Sequence, residues 1–183
     1  QLHRRQRQMC IRDSKKTEIK KIPEQYFVSS SFKRLSLKKA LKGDKISIIA
    51  EIKFASPSEG IILKKGEHIQ IAKDYENAGA AAISVLTDRQ FFNGDIRFLR
   101  DIKNAVNIPV MQKDFIINKK QIFQGMSYGS DAFLLITEAL NQNDLIDLYN
   151  LGLNENLESL VEIHDRENLS TINELNPTIV GVN

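Results

Sequence analysis

Two opposite charges lie two residues apart in an otherwise apolar stretch of this sequence. Glu51 and Lys53 occur in the run IIAEIKF at positions 48–54. On a β-strand this spacing places both side chains on the same face, and burying either charge is costly unless the charge is paired or used. A lysine in such a place can donate a proton or bind an anion. The alternative interpretation is a structural ion pair at the end of a strand.

The residues that follow this pair predict a turn. The segment SPSEG at positions 56–60 combines the fixed φ of Pro57, hydroxyl groups that can bond the backbone, and a glycine for a tight exit. We therefore expect a strand that delivers Glu51 and Lys53 to a loop.

From about residue 46 onward, strand-like and helix-like segments alternate. Short apolar runs predict strands over residues 46–54, 81–86, 110–115, 132–137, 159–164 and 178–182. Helical spacing predicts helices near residues 67–78, 95–106, 119–128, 143–151 and 165–176, with Asp95 and Asp165 at N-cap positions. Ser36 is predicted to cap a short helix over residues 37–42. This alternation predicts an α/β protein with parallel strands.

Polar residues close four of the six predicted strands. They are Glu51 and Lys53, Lys113 and Asp114, Glu162 and His164, and finally Asn183. In a parallel barrel these strand ends meet at one rim, where the active sites of that fold lie. An open sheet that binds a dinucleotide would show a Gly-x-Gly-x-x-Gly turn, and the sequence has none. Two architectures remain, an open doubly wound sheet and a (β/α)₈ barrel of which six strands are visible, and the polar strand ends suit the barrel.

Apolar residues accompany these charges at the predicted strand ends. Phe92 follows the second strand, Phe115 follows Lys113 and Asp114, and Leu134 lies in the fourth strand. Beside charged groups, such residues could wall a pocket for a flat ring. The plainer interpretation, that an aromatic residue belongs to the core, is the default for the neighbouring Phe91.

The overall composition is that of a globular protein. The chain has 183 residues, of which 42% are hydrophobic and 27% are charged, as suits one domain or part of a larger one. No apolar run approaches the roughly 20 residues that cross a bilayer. The formal net charge of +3 is carried by residues 1–16, where six cationic residues face one aspartate. We therefore expect neither a membrane nor a nucleic-acid partner.

Residues 1–14 share neither periodicity nor composition with the rest of the chain. Without an apolar core they are not a secretory signal, although an organelle transit peptide would tolerate them. We interpret them as an extraneous or disordered leader, followed by an N-terminal extension over residues 15–45 and a partial barrel domain over residues 46–183. The single cysteine, Cys10, lies in this leader. The rest of the chain thus lacks thiolate sites, its histidines are not clustered, and we expect a cytoplasmic protein without a metal.

Six ordered blocks of the sequence carry a resemblance to one enzyme family. They are IAEIKFASPSEG (49–60), SVLTDRQFFNG (84–94), QKDFIIN (112–118), GSDAFLLI (129–136), LVEIH (160–164) and IVGVN (179–183). In these blocks the chain resembles the indole-3-glycerol phosphate synthases of tryptophan biosynthesis. The resemblance implies a TIM barrel that acts as a carboxy-lyase without a metal or organic cofactor. The implied reaction closes the pyrrole ring of 1-(2-carboxyphenylamino)-1-deoxyribulose 5-phosphate, with loss of CO₂ and water, to give indole-3-glycerol phosphate.

The resemblance also implies roles for the matching residues. The implied catalytic residues are Lys113, Glu162, Lys53, Glu51 and Asn183. Lys113 would protonate the ketose oxygen as a general acid, and Glu162 would be the partner acid/base in the dehydration. Lys53 would contact the anionic substrate, Asn183 would hydrogen-bond it, and Glu51 would orient the lysines and the substrate. The implied substrate-binding residues are Ser56 in the bordering loop and Phe92, Phe115 and Leu134 in the apolar wall around the anthranilate ring.

Four residues depart from the pattern of the family. Phe54 and Glu59 occupy places where basic residues are usual, Gln112 stands where an arginine is common, and Ser130 replaces an alanine. The charge reversal at Glu59 weighs against phosphate steering by that part of the loop.

The chain stops after its sixth predicted strand, whereas a complete barrel has eight, typically in about 250 residues. The loops after the last two strands would cradle the substrate phosphate. We therefore expect this polypeptide alone to be poorly stable, prone to associate and inactive. The expected partner is a small anionic phosphate substrate, with room for fusion to or association with neighbouring enzymes of the tryptophan pathway. The alternatives are another phosphate-binding barrel enzyme and a non-catalytic barrel fragment.

Overall fold

The computed structural model describes residues 2–23, 32–64 and 66–183. Its α-helices are α1 (Leu2–Ile19), α2 (Leu37–Leu41), α3 (His68–Asn77), α4 (Arg89–Phe92), α5 (Arg97–Lys103), α6 (Lys119–Ser127), α7 (Gln142–Asn154) and α8 (Leu169–Leu175). Its strands are β1 (Ile49–Ile52), β2 (Ala55–Ser56), β3 (Gly60–Ile61), β4 (Ala82–Leu86), β5 (Val110–Lys113), β6 (Ala132–Ile136), β7 (Glu158–Ile163) and β8 (Val180–Val182). Two short 3₁₀ turns cover Thr137–Ala139 and Arg166–Asn168. Among the described residues, none of the helices has the length and apolar content of a transmembrane span.

Six of the strands form one parallel sheet in the order β1-β4-β5-β6-β7-β8. Helices follow the strands along the chain, and the sheet is curled as part of a barrel. The predicted α/β class with parallel strands is confirmed. The remaining two strands, β2 and β3, pair antiparallel across the predicted SPSEG turn.

Several predicted boundaries were wrong. The first strand was predicted over residues 46–54, but only Ile49–Ile52 pairs, and Ile46 is 97% exposed. Here the apolar composition extends beyond the hydrogen-bonded residues. Helix α5 begins at Arg97 with Ile96 as its N-cap, so Asp95 is not the cap, although its carboxylate accepts a hydrogen bond from the Arg97 N–H.

The last predicted helix is also interrupted. Residues 165–176 form a 3₁₀ turn followed by α8, and the carboxylate of Asp165 makes no capping bond. Strands β2 and β3 and helices α1 and α4 were not predicted.

Two clusters of buried side chains join the helices to the outer face of the sheet. One packs β1, β4 and β5 against α3 and α5, and the other packs β6 and β7 against α6 and α7. In β1 and the residues after it, the buried Ile52 and Phe54 belong to this outer layer, whereas Glu51 and Lys53 alternate with them and are only half-buried. Burial of the outer face thus fixes which residues point toward the interior.

Helix α2 covers the amino-terminal end of the sheet. Ser36 caps it as predicted and accepts a hydrogen bond from the Lys39 N–H at 3.0 Å. The carboxylate of Glu158, at the start of β7, accepts bonds from the Ser36 hydroxyl and the Lys38 N–H. Leu37 is fully buried among side chains of β4, β5 and β6. Packing therefore closes the amino-terminal end of the sheet, and the polar strand ends lie at the opposite, carboxyl-terminal end.

The predicted division of the N-terminal region does not coincide with an element boundary. Helix α1 runs through residues 2–19 and so crosses the boundary placed after residue 14. Of the extension over residues 15–45, residues 24–31 lie outside the described part of the chain. The leader, the extension and the barrel domain stay predictions.

Candidate active site

The polar strand ends do meet at the carboxyl edge of the sheet. Glu51, Lys113 and Glu162 lie on the first, third and fifth strands in the sheet order, β1, β5 and β7. In a barrel, side chains from alternate strands share one layer of the interior. The strand register and curl therefore direct these three side chains to the same side of the sheet.

Lys113 and Glu51 form an ion pair at this edge. The Lys113 ammonium donates to Oε2 of Glu51 at 2.5 Å, and each side chain is about one third exposed. A charge-assisted hydrogen bond of this length fixes the direction of both groups. The structure thus pairs Glu51 with Lys113, and the orienting role that the resemblance implied for Glu51 stays a prediction.

Lys53 has a different partner. Its ammonium lies 3.2 Å from Oε2 of Glu59, and the same oxygen accepts a hydrogen bond from the Ser56 hydroxyl at 3.0 Å. The bonds from Lys53 first, and from Ser56 second, hold the pKa of Glu59 below its ordinary value. Glu59, an acidic residue where the family usually has a basic one, therefore pairs with Lys53, an implied catalytic residue. Ser56 in turn accepts from the Glu59 N–H at 3.1 Å, which closes the turn.

A small, mostly apolar cavity of about 60 Å³ lies beside Lys113. Its wall contains four of the predicted site residues, Phe92, Lys113, Phe115 and Leu134. Leu134 is buried in β6 and packs with Phe115 in the interior of the sheet. The structure thus brings the predicted ring wall together with the predicted proton donor.

The loop after β4 places Phe92 in this wall. Asp88 caps helix α4, and its carboxylate accepts a hydrogen bond from the Phe91 N–H at 2.7 Å. Asn93 then takes a left-handed conformation with φ of 53°, and the chain turns at Gly94. A Cβ at Gly94 would overlap the backbone carbonyl of Leu86, so only glycine lets the loop return this closely to the strand.

The other side of the edge holds a second polar group. Glu162 in β7 accepts a hydrogen bond at Oε1 from the Asn183 side-chain N–H at 3.2 Å. Nε2 of His164 lies 3.2 Å from the same oxygen. The structure therefore joins Glu162 and Asn183, as predicted site residues, to a histidine that was noted only as a polar strand end.

Sequence reasoning missed a buried charge cluster behind Lys113. Nζ of Lys15 lies 2.8 Å from both Oδ2 of Asp88 and Oδ1 of Asp114, and the lysine is only 2% exposed. The Thr87 hydroxyl also donates to Asp114, at 2.6 Å. The cluster ties α1 to the loops after β4 and β5, and Asp114 directly follows Lys113.

Burial and charge act against each other in this cluster. Burial alone would lower the pKa of Lys15, but the adjacent Asp114 and Asp88 carboxylates raise it above its ordinary value. For Asp114, burial raises the pKa despite the nearby ammonium. Nothing in the local sequence separates Lys15 from its neighbour Lys16, so only the tertiary contact identifies it.

Comparison with known proteins gives one consistent family. The family model described as indole-3-glycerol phosphate synthase matches residues 2–183. The chain is 50% identical over 139 residues to the indole-3-glycerol phosphate synthase of Geobacillus kaustophilus (strain HTA426), which covers 75% of this chain and 54% of that protein. It is 47% identical over 145 residues to that of Aliarcobacter butzleri (strain RM4018), covering 79% and 55% respectively. The chain thus spans about half the length of these curated relatives.

Solved structures add a likeness of fold. A mandelate oxidase variant with (S)-mandelic acid superposes with a TM-score of 0.56 at 12% sequence identity, over 86% of this chain and 53% of that one. A mandelate oxidase with benzoyl-formic acid gives a TM-score of 0.55 at 12% identity, over 81% and 52%. At this identity the likeness concerns the fold alone, and it agrees with a part-barrel.

Proposed function

The chain belongs to the indole-3-glycerol phosphate synthase family, and on that premise we propose that its protein makes indole-3-glycerol phosphate. The substrate would be 1-(2-carboxyphenylamino)-1-deoxyribulose 5-phosphate, whose pyrrole ring closes with loss of CO₂ and water. The observation that carries this proposal is the position of Lys113. It is held by Glu51 at 2.5 Å and lines an apolar cavity with Phe92, Phe115 and Leu134.

Lys113 acts as the general acid of the ring closure. The new carbon–carbon bond forms at the ketose carbonyl, and its oxygen gains charge that a proton must neutralise. The ammonium of Lys113 donates that proton, while the carboxylate of Glu51 keeps the lysine pointed into the site. A positioned proton donor of this kind contributes about 10²- to 10⁴-fold to the rate. The aromatic ring of the substrate packs against Phe92, Phe115 and Leu134.

Glu162 serves the later dehydration. As an acid it gives the departing hydroxyl group the proton with which water leaves, and its carboxylate then takes up the proton that the substrate loses; Asn183 fixes one of its oxygens at 3.2 Å. Lys53 directly follows β1 and Ser56 lies in β2, and their ammonium and hydroxyl groups can face the anionic groups of the substrate. The Lys53 ammonium is already paired with the Glu59 carboxylate. When the substrate binds, this ion pair therefore opens, or the ammonium binds both anions. A cytoplasmic location and association with other enzymes of the pathway stay predictions.

The test is turnover of this substrate by the full-length gene product. Indole fluorescence and CO₂ release should appear together in a ratio of one to one. Lys113→Ala should lower kcat by about 10²- to 10⁴-fold, whereas Lys73→Ala, on the exposed face of α3, should leave it unchanged. A wild-type protein that binds the substrate without forming the indole ring, or an unimpaired Lys113→Ala, would overturn the proposal.

A further inference from the structure

Three side chains form a continuous line that ends at Glu162. Oε2 of Glu138 lies 3.1 Å from Nδ1 of His164, and Nε2 of His164 lies 3.2 Å from Oε1 of Glu162. The side chains of Glu138 and His164 are 8% and 7% exposed. Both ring nitrogens of a buried histidine are therefore engaged by carboxylates.

Glu138 is the fixed end of this line. One of its oxygens accepts hydrogen bonds from the backbone N–H groups of His164 and Asp165 at 2.9 and 3.0 Å, and from the Asn168 side chain at 2.9 Å. Burial would raise the pKa of Glu138, but the hydrogen bonds from the backbone N–H groups of His164 and Asp165, the largest opposing causes, help to lower it to about 2. Glu138 is consequently an anion at neutral pH, and it can only accept hydrogen bonds.

The charge of Glu138 determines the tautomer of His164. Because Glu138 only accepts, Nδ1 of the imidazole carries a proton and donates it. Nε2, the other ring nitrogen, then faces Oε1 of Glu162 at 3.2 Å. The bond to Glu138 thus fixes the orientation of the His164 ring and directs Nε2 at Glu162.

The backbone supports this orientation. His164 directly follows β7, two residues after Glu162, so the two side chains lie on the same face. Ile163 between them points the other way and is buried in the cluster that joins β6 and β7 to the helices. Within the described part of the chain, His164 and Asn183 both engage Oε1 of Glu162, which leaves Oε2 as the oxygen that can face a substrate.

We infer that His164 is a positioning residue, which holds the Glu162 carboxyl group in its working orientation through Nε2 and is itself held by Glu138. The inference rests on the proposed function, because Glu162 matters only if it meets the substrate. His164 acts through Glu162 and does not contact the reacting atoms. Through His164 the buried Glu138 carboxylate is connected to Glu162.

Two substitutions distinguish the contributions of the two ring nitrogens of His164. In His164→Gln the amide nitrogen reaches the place of Nε2 and can still donate to Glu162. In His164→Asn the amide nitrogen takes the place of Nδ1 and keeps only the bond to Glu138. In the full-length gene product we expect His164→Asn to lower kcat by about 10- to 100-fold with little change in KM, because one contact to a charged group is lost. We expect His164→Gln to retain most of the wild-type kcat. A purely structural histidine would give the reverse order, because His164→Asn preserves the buried bond to Glu138, and that result would overturn the inference.

A second measurement does not depend on turnover. The side-chain ¹⁵N resonances of His164 report which ring nitrogen is protonated. We expect Nδ1 to be protonated in the wild type, and the Nε2 resonance to move in Glu162→Gln but not in Glu174→Gln, whose carboxylate bonds Gln142 on an exposed surface. An unchanged Nε2 resonance in Glu162→Gln would overturn the pairing. Absence of turnover in the wild type would instead overturn the proposed function.

Discussion

Lys113 and Glu51 are 62 residues apart in the chain, yet the lysine ammonium lies 2.5 Å from the glutamate carboxylate. Strand β4 separates β1 from β5 in the sheet, so this contact requires the side chains to meet across the inner face of a curled sheet. Both groups are partly solvated, and such a pair adds little to stability, typically about 0–1 kcal/mol. The main effect of this ion pair is therefore to orient the Lys113 side chain toward the apolar cavity.

Glu51→Gln tests this orienting role. The substitution keeps the shape of the side chain but removes the charge, so Lys113 loses its fixed direction while the fold is retained. We expect kcat to fall by about tenfold or more, with a change in unfolding free energy of less than about 1 kcal/mol. Steady-state kinetics and thermal unfolding of the full-length gene product measure the two quantities. Glu67→Gln, on the exposed surface before α3, is the control. A lower melting temperature with unchanged kcat would make the pair structural.

Phe92→Ala tests the apolar wall. Phe92 lines the cavity beside Lys113, whereas the adjacent Phe91 is not among its lining residues. Truncation of Phe92 removes contact area for a bound ring, so we expect KM to rise by about tenfold with a smaller change in kcat. The control Phe91→Ala retains the backbone N–H that bonds Asp88 and should leave KM within about twofold. Equal effects of the two variants on KM would show that the loop as a whole, and not the wall, binds the substrate.

The sequence was sufficient to predict the rim but not its pairings. Parallel strands must all end at one edge, so polar residues at the ends of several strands predict a shared site without knowledge of the contacts. Which of these charged side chains form ion pairs depends on the curl of the sheet and on the conformation of the loops that follow the strands. Glu51 and Lys53 are neighbours on one face of a strand, yet Glu51 pairs with Lys113 and Lys53 with Glu59.

Helix α1 marks the limit of sequence reasoning more clearly. Lys15 lies at the end of a basic segment whose residues show no periodicity that would predict packing. In the structure it is buried between Asp88 and Asp114. Lys15 is buried because it pairs with Asp88 and Asp114, which lie on two loops more than 70 residues further along the chain. The local sequence around Lys15 cannot predict these contacts.

Glu138 predicts a specific loss of stability in acid. Its pKa falls from the ordinary 4.5 to about 2 in the folded protein, so the unfolded chain binds the proton more tightly. The stabilisation is fully present above pH 4.5 and disappears as the pH falls toward 2. With an allowance for solvent screening, we expect a loss of about 2 kcal/mol across that range.

The measurement is the difference in unfolding free energy between the wild type and Glu138→Gln at a series of pH values. The difference should be largest at pH 6 and shrink below pH 4.5, since the variant has no carboxyl group to protonate there. Glu174→Gln, on an exposed surface, should show no such trend. A difference that stays constant from pH 6 to pH 3 would contradict a lowered pKa for Glu138.

Lys15→Met tests the buried cluster. Methionine fills a similar volume but leaves the carboxylates of Asp88 and Asp114 buried without their cation. Removal of one partner from a buried ion pair typically costs about 3–5 kcal/mol, so we expect a loss of that size in the unfolding free energy. Lys16→Met is a matched control, because the Lys16 side chain is 58% exposed and pairs with the exposed Asp13, and it should change stability by no more than about 0.5 kcal/mol.

The double variant Lys15→Met, Asp114→Asn separates charge from packing. If the cost of Lys15→Met comes from an uncompensated buried carboxylate, neutralising Asp114 should recover part of the lost stability, since the neutral amide is cheaper to bury and can still accept from the Thr87 hydroxyl. The two substitutions would then be strongly non-additive. Unfolding in urea of the four proteins of this cycle measures the coupling. Additive losses would mean that Lys15 stabilises the carboxyl edge by packing of its aliphatic stem, and that Asp114 takes no part in holding α1 against the loop that follows Lys113.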